Sequence, residues 1–455
     1  MIRKIFLAIA LMAVALGAAA HTVATNDTAA RANGTTPSGT GDKAWDIKFH
    51  GFVNPVLYGD TRQVVSGREG MMLFYPQPVS LDAHDNDVNA VPSLNMLAIT
   101  TRLMTTVTGP DVLGARMKGY VEGDFTGATD ASINMFRLRH AYINMDWGNS
   151  TLLMGQYWYP MVIHEIMPAT QPLNMGAPFH PYARYNQVRY VQKLANYNVR
   201  VRQCGDVITA TTLGHIEFMG TASFQLDNSS QGPLGKSTQY LKNSCIPEIN
   251  AQLRLVGPRL FLGVAANFMV VRPRTVDAFG NAVNDPYASN SFSLFGSYKW
   301  QNWSVKAQTL LSDNLYEGCT MGGYIESVIT DTILRNCDYS YKPFTFTTVW
   351  ADFGRTTGHW RPGIFLGYAT NNDFGTTLHN TDGAYGRGID IQRIARIQPR
   401  IAYIAGNGLS FHFEVEYTQA LYGVKSPIDS DTYRYTEADK PVANTRFILG
   451  AVYAF

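Results

Sequence analysis

The feature that most constrains the fold is an alternation of apolar and polar side chains with a period of two, repeated along most of the chain. In one such segment, residues 410–418, the apolar positions are Phe411, Phe413, Val415 and Tyr417. A period of two places the two kinds of side chain on opposite faces of a β-strand. The segments run for about 9–15 residues, which is longer than most strands of soluble sheets and long enough for a tilted strand to cross a membrane.

About sixteen segments carry this pattern. They lie near residues 46–60, 94–108, 113–125, 133–147, 150–158, 186–202, 207–219, 246–256, 259–272, 291–300, 302–312, 342–353, 360–370, 391–405, 408–422 and 442–455. Tight turns alternate with long loops between them, as in outer-membrane barrels. The pattern therefore predicts an all-β fold, a transmembrane antiparallel up-and-down β-barrel of about sixteen strands, over residues 45–455.

The last predicted strand ends on the terminal residue, Phe455. Its outward positions are Phe447, Leu449, Ala451, Tyr453 and Phe455. Outward aromatics at the last and third-last positions are typical of the strand that the barrel assembly machinery recognises, so this machinery is a predicted partner. The same phase turns Arg446 towards the lumen and predicts that the last strand pairs with the first.

The first residues have the features of an export signal. Arg3 and Lys4 precede an apolar run at 5–16, and Ala18 to Ala20 provide small residues for cleavage. The apolar run is shorter than the roughly 20 residues that span a bilayer. We therefore expect a signal peptide over residues 1–20, cleaved near Ala20, and a flexible periplasmic leader over 21–44. An exported barrel is expected in the lipid of the outer membrane of a Gram-negative cell.

Composition excludes several classes of function. The chain has 37 Lys and Arg against 35 Asp and Glu, so no nucleic-acid partner is predicted. Cys319 and Cys337 fall in one long loop of a protein bound for an oxidising compartment, and a disulfide between them is predicted. No Cys and His spacing resembles a zinc site, and no serine with plausible His and acid partners stands out. We expect no metal, no cofactor and no enzymatic activity.

One hairpin resembles a known family. The sequence of residues 136–142, FRLRHAY, followed by LLMGQYW at 152–158, is similar to the RLRHAY and GQ-x-W hairpin of DcaP-like outer-membrane porins. In that family, as here, the hairpin leads into the long loop after the fifth strand. The resemblance implies a sixteen-stranded barrel, usually a homotrimer, through which small hydrophilic and often anionic solutes diffuse. Residues 21–44 lack the heptads of the N-terminal coiled coil that some members carry.

A porin selects solutes by the width and charge of a constriction. The loop at about 159–185 is rich in proline and in apolar residues. It is too hydrophobic to extend into solvent, so we predict that it folds into the lumen as a constriction loop. Its candidate pore residues are His164, Glu165, His180 and Arg184.

A basic wall is the second predicted element of the constriction. Strand phase places five cations on the inner faces of the second to fourth strands, namely Arg102, Arg116, Lys118, Arg137 and Arg139. Neighbouring strands are expected to bring them side by side, and clustered cations in a narrow lumen raise the local concentration of anions. The family's constriction is also basic. We therefore predict a passive diffusion channel with a mild preference for anions.

Two alternative functions stay open at this point. A gated transporter of hydrophobic substrates is favoured by the apolar residues of the long loop, among them Met161, Val162 and Ile163. A non-channel barrel that serves as a scaffold, an adhesin or a component of a secretion or assembly complex is compatible with long external loops.

Overall fold

The computed structural model describes residues 45–171, 175–204, 207–226, 228–438 and 440–455. Over residues 198–204 and 207–213 it describes only the backbone. The predicted signal peptide and leader, residues 1–44, lie outside the described residues.

Sixteen antiparallel strands close into a barrel, which confirms the predicted architecture. The first two strands are each interrupted: β1 comprises Asp46–Val53 and Val56–Asp60, and β2 comprises Ser93–Leu97 and Arg102–Thr108. The others are β3 (Arg116–Asp124), β4 (Arg137–Asp146), β5 (Ser150–Trp158), β6 (Arg184–Cys204), β7 (Val207–Phe224), β8 (Glu248–Val256), β9 (Leu260–Val271), β10 (Tyr287–Trp300), β11 (Trp303–Asp313), β12 (Asn336–Arg355), β13 (Trp360–Asn371), β14 (Ile391–Gly406), β15 (Leu409–Pro427) and β16 (Val442–Ala454).

The barrel closes between its first and last strands. Val56 pairs with Gly450 and Leu57 with Leu449 in antiparallel register. Beyond them, the backbone N–H groups of Gly51 and Phe455 each donate to the other residue's carbonyl oxygen at 3.0 Å. The predicted pairing of the two strands is therefore confirmed, and the closure satisfies backbone groups that an open sheet edge would leave unpaired.

Side chains alternate between the two surfaces of the barrel wall. On β8, Ile249 and Leu253 are exposed on the outside, whereas Asn250 and Gln252 are buried inside. The same alternation on the other strands produces an apolar outer surface and a polar inner one, as in barrels that cross a membrane. In the described part of the chain, no helix has the length and apolarity needed to span a bilayer.

Short turns connect the strands at one end of the barrel, the turn end. Longer loops connect them at the other, the loop end, and we name these L1 (61–92), L2 (125–136), L3 (159–183), L4 (225–247), L5 (272–286), L6 (314–335), L7 (372–390) and L8 (428–441). Their strands are Val64–Gly67, Met72–Pro76, Gln231–Gly232, Gly235–Lys236, Gly322–Asp331, Leu378–His379, Gly383–Arg387 and Thr432–Glu437. Helix α1 (Gln239–Ser244) lies in L4, and 3-10 turns lie at Asp130–Ser132, His164–Ile166 and Tyr316–Gly318.

A hydrophobic cluster fills part of the barrel interior. L1 contributes Met71, Met72, Phe74 and Tyr75, and L3 contributes Tyr159, Met161, Val162, Ile163, Ile166, Ala177, Phe179 and Tyr182. These side chains pack against wall residues such as Trp350 and Phe365. Burying this apolar surface favours two loops that lie inside the barrel over loops that extend into solvent.

The predicted disulfide between Cys319 and Cys337 is wrong, since the structure has both as buried thiols. In the hairpin that L6 forms with β12, Gly323 pairs with Phe344, whereas Thr330 pairs with Cys337. At about 3.3 Å per residue, Cys337 lies roughly 20 Å farther along the hairpin than Gly323, which follows Cys319 closely in the chain. The Cα atoms of a disulfide are only about 4–7 Å apart.

Candidate functional site in the barrel lumen

L3 crosses the lumen from the end of β5 to the opposite wall. The inward side chain of Gln252 on β8 donates to the carbonyl oxygen of Pro160 at 2.7 Å, and Lys306 on β11 donates to that of Met167 at 2.6 Å. Farther along the loop, the backbone N–H of Gln171 donates to Glu414 on β15 at 2.9 Å. Because wall side chains satisfy the backbone groups of the loop, L3 is held at a fixed position inside the barrel.

The returning part of L3 packs against the wall through aromatic rings. His180 is fully buried, and its ring meets Trp350 edge-on with 5.3 Å between the centroids. Phe179 lies against Phe365 at 6.2 Å, and a Cβ atom at Gly367 would lie 2.5 Å from the Phe179 ring. The structure therefore places His180, a predicted pore residue, in the packed interface between L3 and the wall.

L1 also enters the lumen, although the sequence pattern yields no prediction for this loop. Its hairpin, Val64–Gly67 and Met72–Pro76, carries the five consecutive buried residues Met72 to Pro76. Arg396 on β14 holds both loops, because one Nη donates to the carbonyl oxygen of Ala177 in L3 at 2.6 Å and the other to that of Leu73 in L1 at 3.1 Å. The second Nη also pairs with Glu416 at 3.1 Å.

An arginine cluster lies where β2, β4 and β6 meet L3 near the loop end. Its members are Arg102, Arg137, Arg139 and Arg184, and its carboxylates are Glu122 and Asp124. Arg139 is fully buried and binds both carboxylates at 2.5 Å. Arg137 contacts Asp124 at 2.8 Å, and Arg102 lies 3.6 Å from Glu122. The cluster thus carries four guanidinium groups against two carboxylates.

Arg184 takes a different position in this cluster. Its guanidinium carbon lies 4.2 Å from the centre of the Trp158 ring, and its Nη donates to the Tyr182 hydroxyl at 3.0 Å. Although burial alone would raise it, the four guanidinium groups lower the pKa of Tyr182 to about 7. The lowered pKa of this phenol in L3 therefore indicates a strongly positive electrostatic potential around it.

The local geometry explains the hairpin motif. A β-bulge leaves Arg139 without a partner on β3, because Glu122 pairs with His140 and Gly123 with Leu138. The side-chain amide of Gln156 donates to the carbonyl oxygens of Leu138 and Arg139 at 3.0 Å.

Gly155 and Trp158, which lie close to Gln156 in the sequence, also help to form the arginine cluster. A Cβ atom at Gly155 would lie 2.2 Å from the Ala141 oxygen, so a larger residue does not fit there. Trp158 provides the face on which Arg184 stacks. The motif therefore builds the arginine cluster.

The predicted side-by-side arrangement of five cations is wrong for Arg116 and Lys118. Arg116 pairs in register with Asp146, and Asp124 pairs with Arg137. Because β3 and β4 are antiparallel, Arg116 lies at the turn end of the barrel and Arg137 at the loop end. Arg116 is exposed and binds Asp146 at 2.6 Å. The Lys118 ammonium lies 5.5 Å from the Tyr120 ring.

Two further predicted residues of L3 lie in its short 3-10 turn. His164 is exposed and lies 3.6 Å from Glu165, which is itself 3.3 Å from Arg254 on β8. Arg254 also binds Glu217 on β7 at 2.6 Å. This ion-pair network ties L3 to the wall through a partly exposed carboxylate.

A cavity of about 400 Å³ lies between L3 and the wall of β10 to β15. Its cationic lining residues are Lys299, Lys306, Arg355, Arg361 and Arg400, and its carboxylates are Glu165, Asp352 and Glu414. Arg400 pairs with Asp352 at 2.7 Å. Cations therefore exceed carboxylates here, as they do in the arginine cluster.

A closed sixteen-stranded barrel with loops folded into a charged lumen has the architecture of the outer-membrane porins. The structure is similar to the outer membrane channel DcaP of Acinetobacter baumannii, with a TM-score of 0.60 over 90% of this chain and 97% of that chain at 17% identity. It is also similar to the anion-selective porin from Comamonas acidovorans, with a TM-score of 0.51 over 90% and 100% of the two chains at 8% identity. No protein-family model and no curated protein matches the sequence. The resemblance to DcaP-like porins is thus confirmed as a likeness of fold.

Proposed function

We propose that the protein is an outer-membrane porin through which small hydrophilic solutes diffuse passively, with a mild preference for anions. The observation that supports it is the cationic excess at two places where L3 meets the wall, the arginine cluster and the cavity. The arginine cluster has four guanidinium groups against two carboxylates. The cavity has five cations against three carboxylates.

The physical reason is the field inside a narrow lumen. Charges on low-dielectric walls are screened less than charges on an open surface, and an excess of cations raises the local concentration of anions. Most of the carboxylates are held in ion pairs, so they offset a large part of the positive charge. The expected preference is therefore mild.

The test is the reversal potential of the purified protein in a planar bilayer with a KCl gradient. We expect the sign of an anion-preferring channel and a smaller magnitude for Arg184→Gln. The control is Arg116→Gln, since Arg116 is exposed at the turn end and paired with Asp146. Cation selectivity of the wild-type channel would contradict the proposal.

A gated transporter is the second candidate, and the apolar cluster of L1 and L3 inside the barrel favours it. The two functions differ in the current without substrate. Stepwise ohmic conductance supports the porin, whereas a silent bilayer that becomes conducting only with a hydrophobic solute supports gating. No conductance under any condition, with stable co-purification of partner proteins, would support a scaffold or adhesin.

We also propose a homotrimer, cleavage near Ala20, a periplasmic leader at 21–44 and insertion by the barrel assembly machinery. The resemblance to the family supports the trimer, and the sequence of residues 1–20 supports cleavage. Light scattering of the purified protein and mass spectrometry of its mature N-terminus test these two points.

A further inference from the structure

L6 brings an acidic residue into the interior beside the beginning of L3. Its 3-10 turn, Tyr316–Gly318, accepts a hydrogen bond at the Gly318 carbonyl oxygen from the backbone N–H of Tyr182, at 2.7 Å. A Cβ atom at Gly318 would touch the Tyr159 ring at 3.4 Å. Glu317 directly precedes Gly318 in this turn and is only 1% exposed.

A second buried carboxylate, Glu248 at the start of β8, also lies beside Tyr159. One of its oxygens accepts hydrogen bonds from the Tyr159 hydroxyl at 2.7 Å and from Asn267 at 2.6 Å. Its other oxygen and both oxygens of Glu317 have no hydrogen-bond partner among the described residues. Neither carboxylate forms an ion pair within that part of the chain.

A fully buried phenol completes the group. The Tyr185 ring lies beside the Tyr159 ring with 4.7 Å between the centroids. Its hydroxyl is 0% exposed and also lacks a partner in the described structure. Three carboxylate oxygens and one phenol oxygen are therefore buried near Tyr159 without hydrogen-bond partners among the described residues.

Such a group is costly unless something neutralises it, because a buried and unpaired carboxylate loses several kcal/mol of hydration. Burial, and next the charge of Glu248, raises the pKa of Glu317 well above its ordinary value. Protonation removes the charge, but it adds O–H donors that need acceptors of their own. A bound cation removes the charge and also uses the oxygens as ligands.

We propose that Glu248 and Glu317, with the Tyr185 hydroxyl, bind a Ca²⁺ ion that fastens L6 to the barrel wall at β6 and β8. Ca²⁺ takes oxygen ligands in flexible geometry, whereas Mg²⁺ usually keeps several waters, which a closed interior does not favour. No group of three or more His, Cys, Asp or Glu residues that could hold a metal ion lies in the described chain, so the proposed ligands are two carboxylates and one phenol oxygen. No metal was predictable here from the sequence, because the two acids lie in distant segments.

The experiment is a Tb³⁺ titration of the purified barrel after treatment with EDTA. Tyr159 and Tyr185 adjoin the site, so we expect tyrosine-sensitised emission that saturates and that Ca²⁺ displaces. Glu317→Gln should weaken Tb³⁺ binding about tenfold or more. The control is Glu414→Gln, which removes another buried carboxyl, but one whose two oxygens are bonded to Gln171 and Gln398.

A stability measurement distinguishes cation binding from protonation of Glu248 and Glu317. We expect Ca²⁺ to raise the Tm of the EDTA-treated wild type and to leave that of Glu317→Gln unchanged. Gel mobility of unheated samples checks that each variant is folded. Absence of sensitised emission in the wild type, with a Tm that does not respond to Ca²⁺, would overturn the proposal. Glu248 and Glu317 would then be neutralised by protonation and not by a cation.

Discussion

Tyr182 is the residue at which the electrostatics of the lumen are most directly measurable. It is buried among four guanidinium groups, and they lower its pKa to about 7 despite its burial. The phenol is neutral at pH 6 and ionised at pH 8. Because four arginines face two carboxylates here, ionisation lowers the formal excess of the cluster from two positive charges to one.

We therefore predict that anion preference falls as pH rises from about 6 to 8, and that Tyr182→Phe abolishes this fall while keeping the low-pH selectivity. Reversal potentials over a pH series measure both effects. The control is Tyr142→Phe, which removes a half-buried phenol that lies against Tyr157. A selectivity that is independent of pH in the wild type would show that Tyr182 does not titrate in this range.

The same shift has a consequence for stability. A tyrosine whose pKa is lowered on folding stabilises the folded state in its ionised form. This contribution is complete above the unfolded pKa of about 10 and is lost as pH falls through about 7. Unfolding by urea should therefore need a higher midpoint concentration at pH 9 than at pH 7 in the wild type, with a smaller difference in Tyr182→Phe.

Among the elements, the L1 hairpin has the clearest expected effect on the width of the channel. It places Met72 to Pro76 inside the barrel, and Arg396 ties it to L3. Replacing residues 64–76 with a short Gly and Ser linker should raise single-channel conductance, because it removes this buried segment from the lumen.

Shortening the exposed tip of L8, residues 428–431, is the matched control for the L1 replacement. It should leave conductance unchanged, since this tip is exposed to solvent and is not packed inside the barrel. Equal conductance of the wild type and the L1 variant would place the hairpin outside the path of ions.

The strands were predictable from the sequence, whereas L1 was not. A barrel strand has one apolar and one polar face, so its alternation is visible in a single sequence. The buried run of Met71 to Tyr75 is apolar at every position, because side chains on both faces of that hairpin are covered. Five consecutive apolar residues within a polar loop were the signal that could have revealed it.

The candidate site was predictable only in part. Strand phase correctly turned Arg102, Arg137 and Arg139 inward, but it did not give their height along the barrel. Antiparallel register separated them from Arg116, and the bulge at Arg139 depends on Gln156 of the next strand. These contacts depend on pairing between strands, which a pattern within one strand does not contain.

At the scale of the whole molecule, the pairing of β1 with β16 closes the barrel next to Phe455. Phe455 pairs its backbone with Gly51 through two hydrogen bonds of 3.0 Å, while the residue stays 61% exposed on the outer surface. These two hydrogen bonds belong to the backbone and do not require the ring. An exposed ring at this position is available for recognition before the barrel closes.

Phe455→Ala should therefore lower the amount of folded protein in the outer membrane of an expressing cell, because the variant lacks the ring that we expect the assembly machinery to bind. The same variant should refold from urea into detergent about as well as the wild type, since both backbone hydrogen bonds with Gly51 remain. The control is Phe411→Ala, which removes another outward aromatic on the neighbouring strand β15. Equal losses of folded protein for the two variants in cells would show that the Phe455 ring contributes only through lipid contact. A refolding defect confined to Phe455→Ala would show instead that the ring stabilises the pairing of β1 with β16.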